Sequence, residues 1–365
     1  MHVYPDCTLV TASYTFNNIH KGARSAEELL EGVKTVLEIP VYLVIFCDTV
    51  MSHHIIKERK RNGLEDATCV RIVEFEQLWA YQFLDTVKAN RCAYHPTKDD
   101  RTFAETHLIT CNKFDFVLQT IDSNPFSTSK FGWIDSVVRE NMTKICENYN
   151  HSILYKVLNS ITDKFHLQIL NVCDKKYTKK EHKREYYQQY RWLVCGSFFA
   201  CGKEIGTKIL SRLKDIVIQT TEEGYGHGEE MFYLEVLDEF YEDIARGYGD
   251  YGQILNNIIK PTCNIEYVVH HIVKGYSHRG YHRECYDCCT ALIRQVESFS
   301  IHISYDLMLE IYFYLYISSY YYKHQEARDV VQKIRILCNK NPYFNAEFQK
   351  NKALYNTQFS YIDHT

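Results

Sequence analysis

Apolar residues in the first half of the chain follow two alternating spacings. Four short runs are rich in β-branched and aromatic residues, at residues 8–16, 41–48, 68–78 and 130–138. Between them, residues 25–39 and 103–122 repeat apolar positions along one helix face, and Ser25 precedes the first of these segments as a helix N-cap would. Strands that alternate with helices predict a mostly parallel sheet that helices cover on both faces.

The pattern changes along the second half of the chain. Residues 165–170 and 193–202 read as further strands, with a basic segment between them and two helical segments after them. Strand signals fade beyond Pro261, and the remaining residues form consecutive amphipathic helical patterns. We therefore predict an α/β domain over residues 1–262, followed by an all-α region over residues 263–365.

Composition narrows the class of protein. The 365 residues are 45% hydrophobic, enough for a sizeable core, and their formal net charge of −4 argues against a chain built mainly to neutralise nucleic acid. The 14 cysteines are scattered through regular segments, so we expect reduced thiols. No secretory leader and no membrane-length apolar run is visible, which predicts a cytoplasmic protein. Frequent Tyr, Asn, Ile and Lys indicate an AT-rich coding genome, as in many viruses and protists.

Asp135 is the first candidate for chemistry. It follows Trp133 and Ile134 in an apolar strand, where an unpartnered carboxylate would be costly to bury. Ligands of parallel sheets bind beyond the carboxyl ends of the strands, and Asp48 ends the second strand, so both acids are candidates for one crevice. Trp133 would offer that crevice an apolar wall, and Asp135 would hold a divalent cation. The alternative is an Asp135 that caps a turn or pairs with a buried Lys or Arg.

A glycine-bearing segment, LVCGSFFACG, covers residues 193–202. Gly196 and Ser197 would let the backbone approach a sugar or an anion closely. Phe198 and Phe199 would complete that pocket. The alternative is a tight strand-to-helix turn with both phenylalanines in the core.

A second such segment, GYGHGEEMF, covers residues 224–232. It lacks the context of a dinucleotide fingerprint and the Lys-Ser/Thr of a phosphate-binding loop. One interpretation is a glycine-rich loop that presents His227, Glu229 and Glu230 to a substrate, with one carboxylate as general base or hydroxyl anchor. The other is simple capping, because acids are favoured in the first turn of a helix.

Two further segments leave alternatives open. Residues 175–191 interleave Lys and Arg with Tyr, which is typical of a single-strand nucleic-acid surface, of a lid over an anionic substrate, or of a solvated helix with its tyrosines turned inward. Residues 270–289 contain four His and three Cys at spacings that permit zinc, although the apolar period continues through the cysteines. Residues 280–293 and 320–334 resemble degenerate tetratricopeptide-like helix pairs, which would serve self-association or partner binding.

Several of these stretches, taken in order, resemble the HtrL/YibB-type family of glycosyltransferases with a GT-A-like nucleotide-sugar fold. The matching stretches are TLVTASYTF, NPFSTSKFGWIDSVV, VCGSFFACG, GHGEEMFYLEVL and GYGDYGQILNN, and they span roughly residues 6 to 260. Two departures are visible. A lone Asp135 stands where most metal-dependent GT-A enzymes carry an Asp-x-Asp pair, and Cys195 and Cys201 occupy outer small positions of the Phe-Phe segment.

The resemblance implies a donor site at the carboxyl ends of the first strands. Thr11 and Ala12 would lie near the nucleotide, Asp48 near the base or ribose, and Lys113 near the diphosphate. Asp135 would bind Mn²⁺ or Mg²⁺. His227, His270 and His271 are possible further ligands of that metal.

The sequence as a whole therefore predicts a GT-A-like transferase that moves a sugar from a nucleotide sugar to a glycan or protein acceptor. A different class stays open, a non-catalytic interaction protein whose helical tail binds a partner. A nucleic-acid-binding protein that uses residues 175–191 is a third alternative, which the overall acidity disfavours.

Overall fold

The chain divides into two compact units. In the computed structural model, one unit comprises Met1–Gly247 with Tyr251–Ile259, and the other comprises Tyr248–Asp250 with Lys260–Thr365. Within them the structure describes residues 4–16, 19–20, 23–94, 103–136, 151–225, 228–250, 255 and 264–340, and short pieces at 342 and 345–346.

A seven-stranded sheet organises the first unit. Its strands are β1 (Cys7–Ser13), β2 (Tyr42–Cys47), β3 (Thr68–Ile72), β4 (Lys130–Ile134), β5 (Phe165–Ile169), β6 (Phe198–Gly202) and β7 (Ile244–Tyr248). They are arranged in the order β3-β2-β1-β4-β6-β5-β7. Strands β3, β2, β1 and β4 run parallel, whereas β6 is antiparallel to both β4 and β5. The predicted α/β class, a mostly parallel sheet with flanking helices followed by a helical C-terminal region, is confirmed.

This strand order brings several chain ends to one edge of the sheet. Because β4 and β5 both oppose β6, their carboxyl ends lie beside its amino end. The carboxyl end of β1 lies at the same edge, since β1 is parallel to β4. Residues 135–136, 170–171 and 196–197 are therefore brought together, although they are far apart in sequence.

The helices described in this unit include those predicted at residues 25–39 and 103–122. They are α1 (Ala26–Leu37), α2 (Thr49–Arg61), α3 (Leu84–Tyr94), α4 (Ala104–Ser123), α5 (His151–Ser160), α6 (Lys183–Tyr187), α7 (Lys203–Glu222) and α8 (Tyr233–Glu239). Ser25 is the N-cap of α1, as predicted, and forms a reciprocal capping box with Glu28. Helix α4 is buried along most of its length, which places its polar side chains inside the unit.

Buried Arg59 shows how the core tolerates charge. Its guanidinium donates to the carbonyl oxygens of Leu37, Ile39, Val41 and Ala67 at 2.7–3.2 Å. Burial lowers the pKa of Arg59 to about 10. Neutral acceptors thus satisfy this cation without a carboxylate.

The second unit is helical where it is described. Helix α9 begins at Ile265–Tyr267, passes through a π-helical turn at Val268–Val273 and ends at Lys274–His278, and α10 (His282–Phe299), α11 (Tyr305–Tyr322) and α12 (His324–Lys340) follow. Its core includes the buried thiols of Cys285, Cys288 and Cys289. No cysteine in the described part of the chain forms a disulfide bond. No described helix is both long enough and apolar enough to cross a bilayer.

Candidate functional site

A buried lysine joins the predicted segments of the sheet unit. Lys113, on α4, is only 1% exposed. Its ammonium donates to Glu229 Oε1 at 2.5 Å and to the Gly196 carbonyl oxygen at 3.0 Å, and it lies 3.5 Å from Asp135 Oδ1. Three stretches that the sequence singled out separately thus meet at one positive charge. We call Lys113, Asp135, Gly196, Glu229 and Glu230 the Lys113 cluster.

Asp135 is the part of the cluster that reaches solvent. It directly follows β4, and its backbone N–H donates to the Ser197 carbonyl oxygen at 2.9 Å. This bond fixes the position of the Asp135 backbone at the carboxyl end of β4. The Trp133 indole N–H donates to Asp135 Oδ1 at 2.6 Å. The Asp135 side chain is still 34% exposed. No described residue hydrogen-bonds its second oxygen, Oδ2.

The two glutamates enter on a short turn. Glu229 and Glu230 open a 3-10 turn, Glu229–Phe232, that precedes α8, and both are buried. A Cβ atom at Gly196 would lie 2.7 Å from Glu229 Oε1, so only glycine admits this carboxylate. The predicted close backbone approach at Gly196 is therefore made by the protein's own glutamate.

Tyr190 extends the cluster toward the surface. Its hydroxyl donates to Glu230 Oε2 at 2.5 Å, and its ring is half-buried. A Cβ atom at Gly228 would lie 1.8 Å from the Tyr190 hydroxyl oxygen, so the glycine before the acid pair makes room for the tyrosine. The basic segment 175–191 is thereby linked to the acid pair through an aromatic residue and not through a cation.

Charge coupling shifts the pKa values of three of the cluster's four ionisable groups, those of Lys113, Glu229 and Glu230. Burial alone would lower the pKa of Lys113, but the carboxylates of Asp135 and Glu229 outweigh burial and raise this pKa well above its ordinary value. Burial opposes ionisation of Glu229, yet the charge of Lys113 outweighs it and lowers the pKa of Glu229. Burial, together with the charge of Glu229, raises the pKa of Glu230 to about 8. At neutral pH, Glu230 therefore holds a proton while Glu229 is ionised.

Asp48 has a structural explanation. It is the N-cap of α2, and its Oδ1 accepts the Met51 backbone N–H at 2.8 Å. Its Oδ2 accepts the backbone N–H and the hydroxyl of Thr15 at 2.6 and 2.7 Å. Asp48 is buried, so a hydrogen bond that its carboxylate accepted from a nucleotide would compete with these three bonds.

Several residues predicted to contact a ligand are sealed in the core. Phe198 and Phe199 are fully buried in β6, so the alternative that put both in the core describes the structure, and the predicted phenylalanine-lined pocket is corrected. Trp133 is 3% exposed and stacks on Phe116, so it orients Asp135 and does not wall a crevice. Thr11, Ala12, Ser197 and Lys113, also predicted ligand contacts, are buried as well. His227 lies outside the described residues.

The tyrosines of the basic segment turn inward. Tyr186 and Tyr187 are buried, and the Tyr186 hydroxyl donates to the Met231 carbonyl oxygen. Lys183 pairs with Glu223 at 2.8 Å. Lys179 and Lys180 are exposed. The arrangement agrees with a solvated segment anchored by its aromatic residues, because its inward faces pack on the protein.

The described residues do not make a cation site. No three His, Cys, Asp or Glu side chains come together there as a ligand set. The Lys113 ammonium lies 3.5 Å from Asp135 Oδ1 and supplies a positive charge beside this carboxylate. The predicted Mn²⁺ or Mg²⁺ therefore finds no ligand set among these residues. His270, suggested as a further ligand, belongs to the other unit, where it pairs with Glu310.

Sequence reasoning missed the partnership of Tyr190 and Glu230. The visible signal was Gly228, whose missing side chain leaves space for the tyrosine. Nothing in the spacing of residues 190 and 230 identifies the pair.

Comparisons with known proteins add a fold-level likeness. No family model matches the chain, and no curated protein matches it in sequence. Among solved structures, the chain is similar to apo mouse xyloside xylosyltransferase 1, with 11% identity and a TM-score of 0.35, over 66% of this chain and 84% of that one. It is also similar to mannose-1-phosphate geranyltransferase from Thermus thermophilus, with 9% identity and a TM-score of 0.30, over 67% and 74% of the two chains. Likenesses this weak carry no argument about activity, so the case for a function comes from the Lys113 cluster.

Proposed function

We propose that the sheet unit is a glycosyltransferase that moves a sugar from a nucleoside diphosphate sugar to an acceptor hydroxyl. The observation that carries this proposal is the convergence of Asp135, Gly196 and the acid pair on Lys113 at the edge where the parallel strands end. Open α/β sheets bind their ligands at this edge. The resemblance to HtrL/YibB-type proteins supports the same proposal. Membership of that family stays a prediction.

The electrostatics of the cluster also support a functional site. Burying an ammonium and carboxylates is costly for folding even when they are paired. Buried Arg59 shows that this fold can satisfy a cation with carbonyl and hydroxyl oxygens and no carboxylate. The Lys113 cluster instead assembles acids, one of them with a pKa raised to about 8. Such perturbed groups concentrate at sites of chemistry.

The chemistry fits a division of labour between the acids. In glycosyl transfer the acceptor oxygen bonds to the anomeric carbon as the bond from that carbon to the diphosphate breaks, and the acceptor proton leaves. Asp135 Oδ2, which no described residue hydrogen-bonds, would accept hydrogen bonds from sugar hydroxyls. Glu230 would take the acceptor proton in its ionised form, since a base with a pKa near the working pH is the most effective.

A nucleotide-sugar screen tests this proposal. Thermal-shift and calorimetric titrations with UDP- and GDP-sugars, each with Mn²⁺ and with EDTA, should identify at least one donor that binds, and the same donor should be consumed in a hydrolysis or transfer assay. Absence of binding to every common UDP- and GDP-sugar contradicts the donor site. Binding without turnover instead favours the non-catalytic alternative.

A further inference from the structure

An exposed tryptophan, Trp192, is linked to the Lys113 cluster through Tyr190. Trp192 is 55% exposed, whereas the other two tryptophans, Trp79 and Trp133, are half-buried and buried. The centroid of its ring lies 4.8 Å from that of Tyr190, at an interplanar angle of 54°. The Tyr190 hydroxyl in turn bonds Glu230. Two aromatic rings therefore lead from the acid pair to the surface.

The backbone around Trp192 is held in place although its ring is exposed. The Asn171 side-chain amide donates to the Trp192 carbonyl oxygen at 2.6 Å, and the backbone N–H groups of Leu170 and Asn171 donate to Leu193 O. Val194 forms an antiparallel bridge with Ile169, at the end of β5. Trp192 thus stands at the same sheet edge as Asp135, on a segment fixed before any ligand arrives. A large apolar ring held in water at such a place is suited to contact a ligand.

The polar groups beside these rings indicate what that ligand is. Tyr190 and Glu230 offer a hydroxyl and a carboxyl group, which exchange hydrogen bonds with the hydroxyls of a neutral polyol. Pyranose rings combine an apolar C–H face, which packs on an aromatic ring, with hydroxyls that bond carboxylates. We propose that Tyr190 and Trp192 form a saccharide subsite in which the acceptor sugar stacks on Trp192 and points a hydroxyl at Glu230. This inference rests on the proposed transferase function. It adds that the acceptor of the transferred sugar is a glycan.

Tryptophan fluorescence tests the subsite without a donor. The probes are the methyl glycosides of glucose, galactose, mannose, xylose and N-acetylglucosamine, with uridine and guanosine monophosphates as rival ligands. We expect at least one glycoside to shift the emission of the wild-type protein to shorter wavelength. Trp192→Ala should abolish the shift, whereas the matched control Trp79→Phe should keep it.

A second readout separates stacking from folding. Trp192→Tyr keeps a ring and should bind the responding glycoside within about threefold of wild type, whereas Trp192→Ala should weaken it about tenfold by calorimetry. Both variants should unfold at the wild-type midpoint and bind a nucleotide sugar as the wild type does. Failure of the donor titration alone therefore counts against the transferase, not against the subsite.

Three results overturn the subsite. They are no response to any glycoside, a shift that persists in Trp192→Ala, or a response to the nucleoside monophosphates only, which would assign the ring to a nucleobase.

Discussion

Two regions of the molecule contain clusters of candidate functional residues in the sequence. Among the described residues, the structure brings a cluster of charged groups together in only one of these two regions. In the sheet unit, acids from residues 135, 229 and 230 meet one lysine from a distant helix. In the helical unit, the cysteines of residues 285–289 follow the helix period into the core, and their thiols approach one another and neighbouring carbonyl oxygens. The spacing of residues inside one segment did not distinguish the two regions. They are distinguished by whether charged groups from separate segments come together in the fold.

The largest expected effect comes from removing the shared cation. Lys113→Met leaves Glu229 buried without its partner, and we expect a loss of about 3–5 kcal/mol in the free energy of unfolding. Urea denaturation measures it. The control is Lys34→Met, which breaks the exposed pair with Glu31 and should change stability by less than about 1 kcal/mol. Equal effects of the two variants would mean that the cluster is no more than a surface ion pair.

A smaller effect should follow from closing the glycine gap. In Gly196→Ala the new Cβ meets Glu229 Oε1, which Lys113 holds in place, and we expect a loss of about 1–3 kcal/mol. Glu229→Asp shortens the side chain, so the two substitutions together should cost less than the sum of the separate costs. Strict additivity in a double-mutant cycle argues against the close approach.

Stability should also depend on pH through Glu230. The folded protein holds the Glu230 proton up to about pH 8, whereas the unfolded chain releases it near 4.5, so stability falls as the pH rises between these values. This group contributes a slope of up to about 1.4 kcal/mol per pH unit. Glu230→Gln should remove it. Glu229→Gln removes one of the two causes of the raised pKa of Glu230 but leaves its burial, so this variant should narrow the pH window without abolishing the slope.

The helical unit should show the smallest effects. Cys288→Ala removes a buried thiol from the core and should cost about 1 kcal/mol, as an ordinary core truncation does. Cys92→Ala, at an exposed position, should cost less than that. EDTA should leave the unfolding midpoint unchanged. A midpoint that falls with EDTA and recovers with Zn²⁺ would restore the zinc hypothesis and erase the contrast between the two regions.

The fold was predictable because local patterns encode it. Alternating apolar periods located β1, β2 and α4, and Ser25 marked the start of α1. The reversal of β6 was not predictable from its apolar run, because strand direction depends on pairing with β4.

The site was predictable only in part. Asp135 and the acid pair were chosen from their local context, and the structure brings them to one lysine. Asp48 was chosen on the same grounds, yet it caps α2. Burial of Phe198, Phe199 and Trp133 depends on how α4 and α7 cover the sheet, and this tertiary packing leaves no separate mark in a short segment. The tetratricopeptide-like character of the second unit and the boundary near residue 262 stay predictions.

The most direct measurement is the calorimetric affinity for the best nucleotide sugar in two matched variants. Asp135→Asn changes the partly exposed acid at the carboxyl end of β4, and Asp163→Asn changes an exposed acid that pairs with Lys130 at its amino end. We predict that Asp135→Asn weakens donor binding at least about tenfold without a matching loss of stability, and that Asp163→Asn leaves it unchanged. Equal affinity in the two variants would contradict a nucleotide-sugar site at the Lys113 cluster. A wild-type protein that binds no nucleotide sugar would contradict it too.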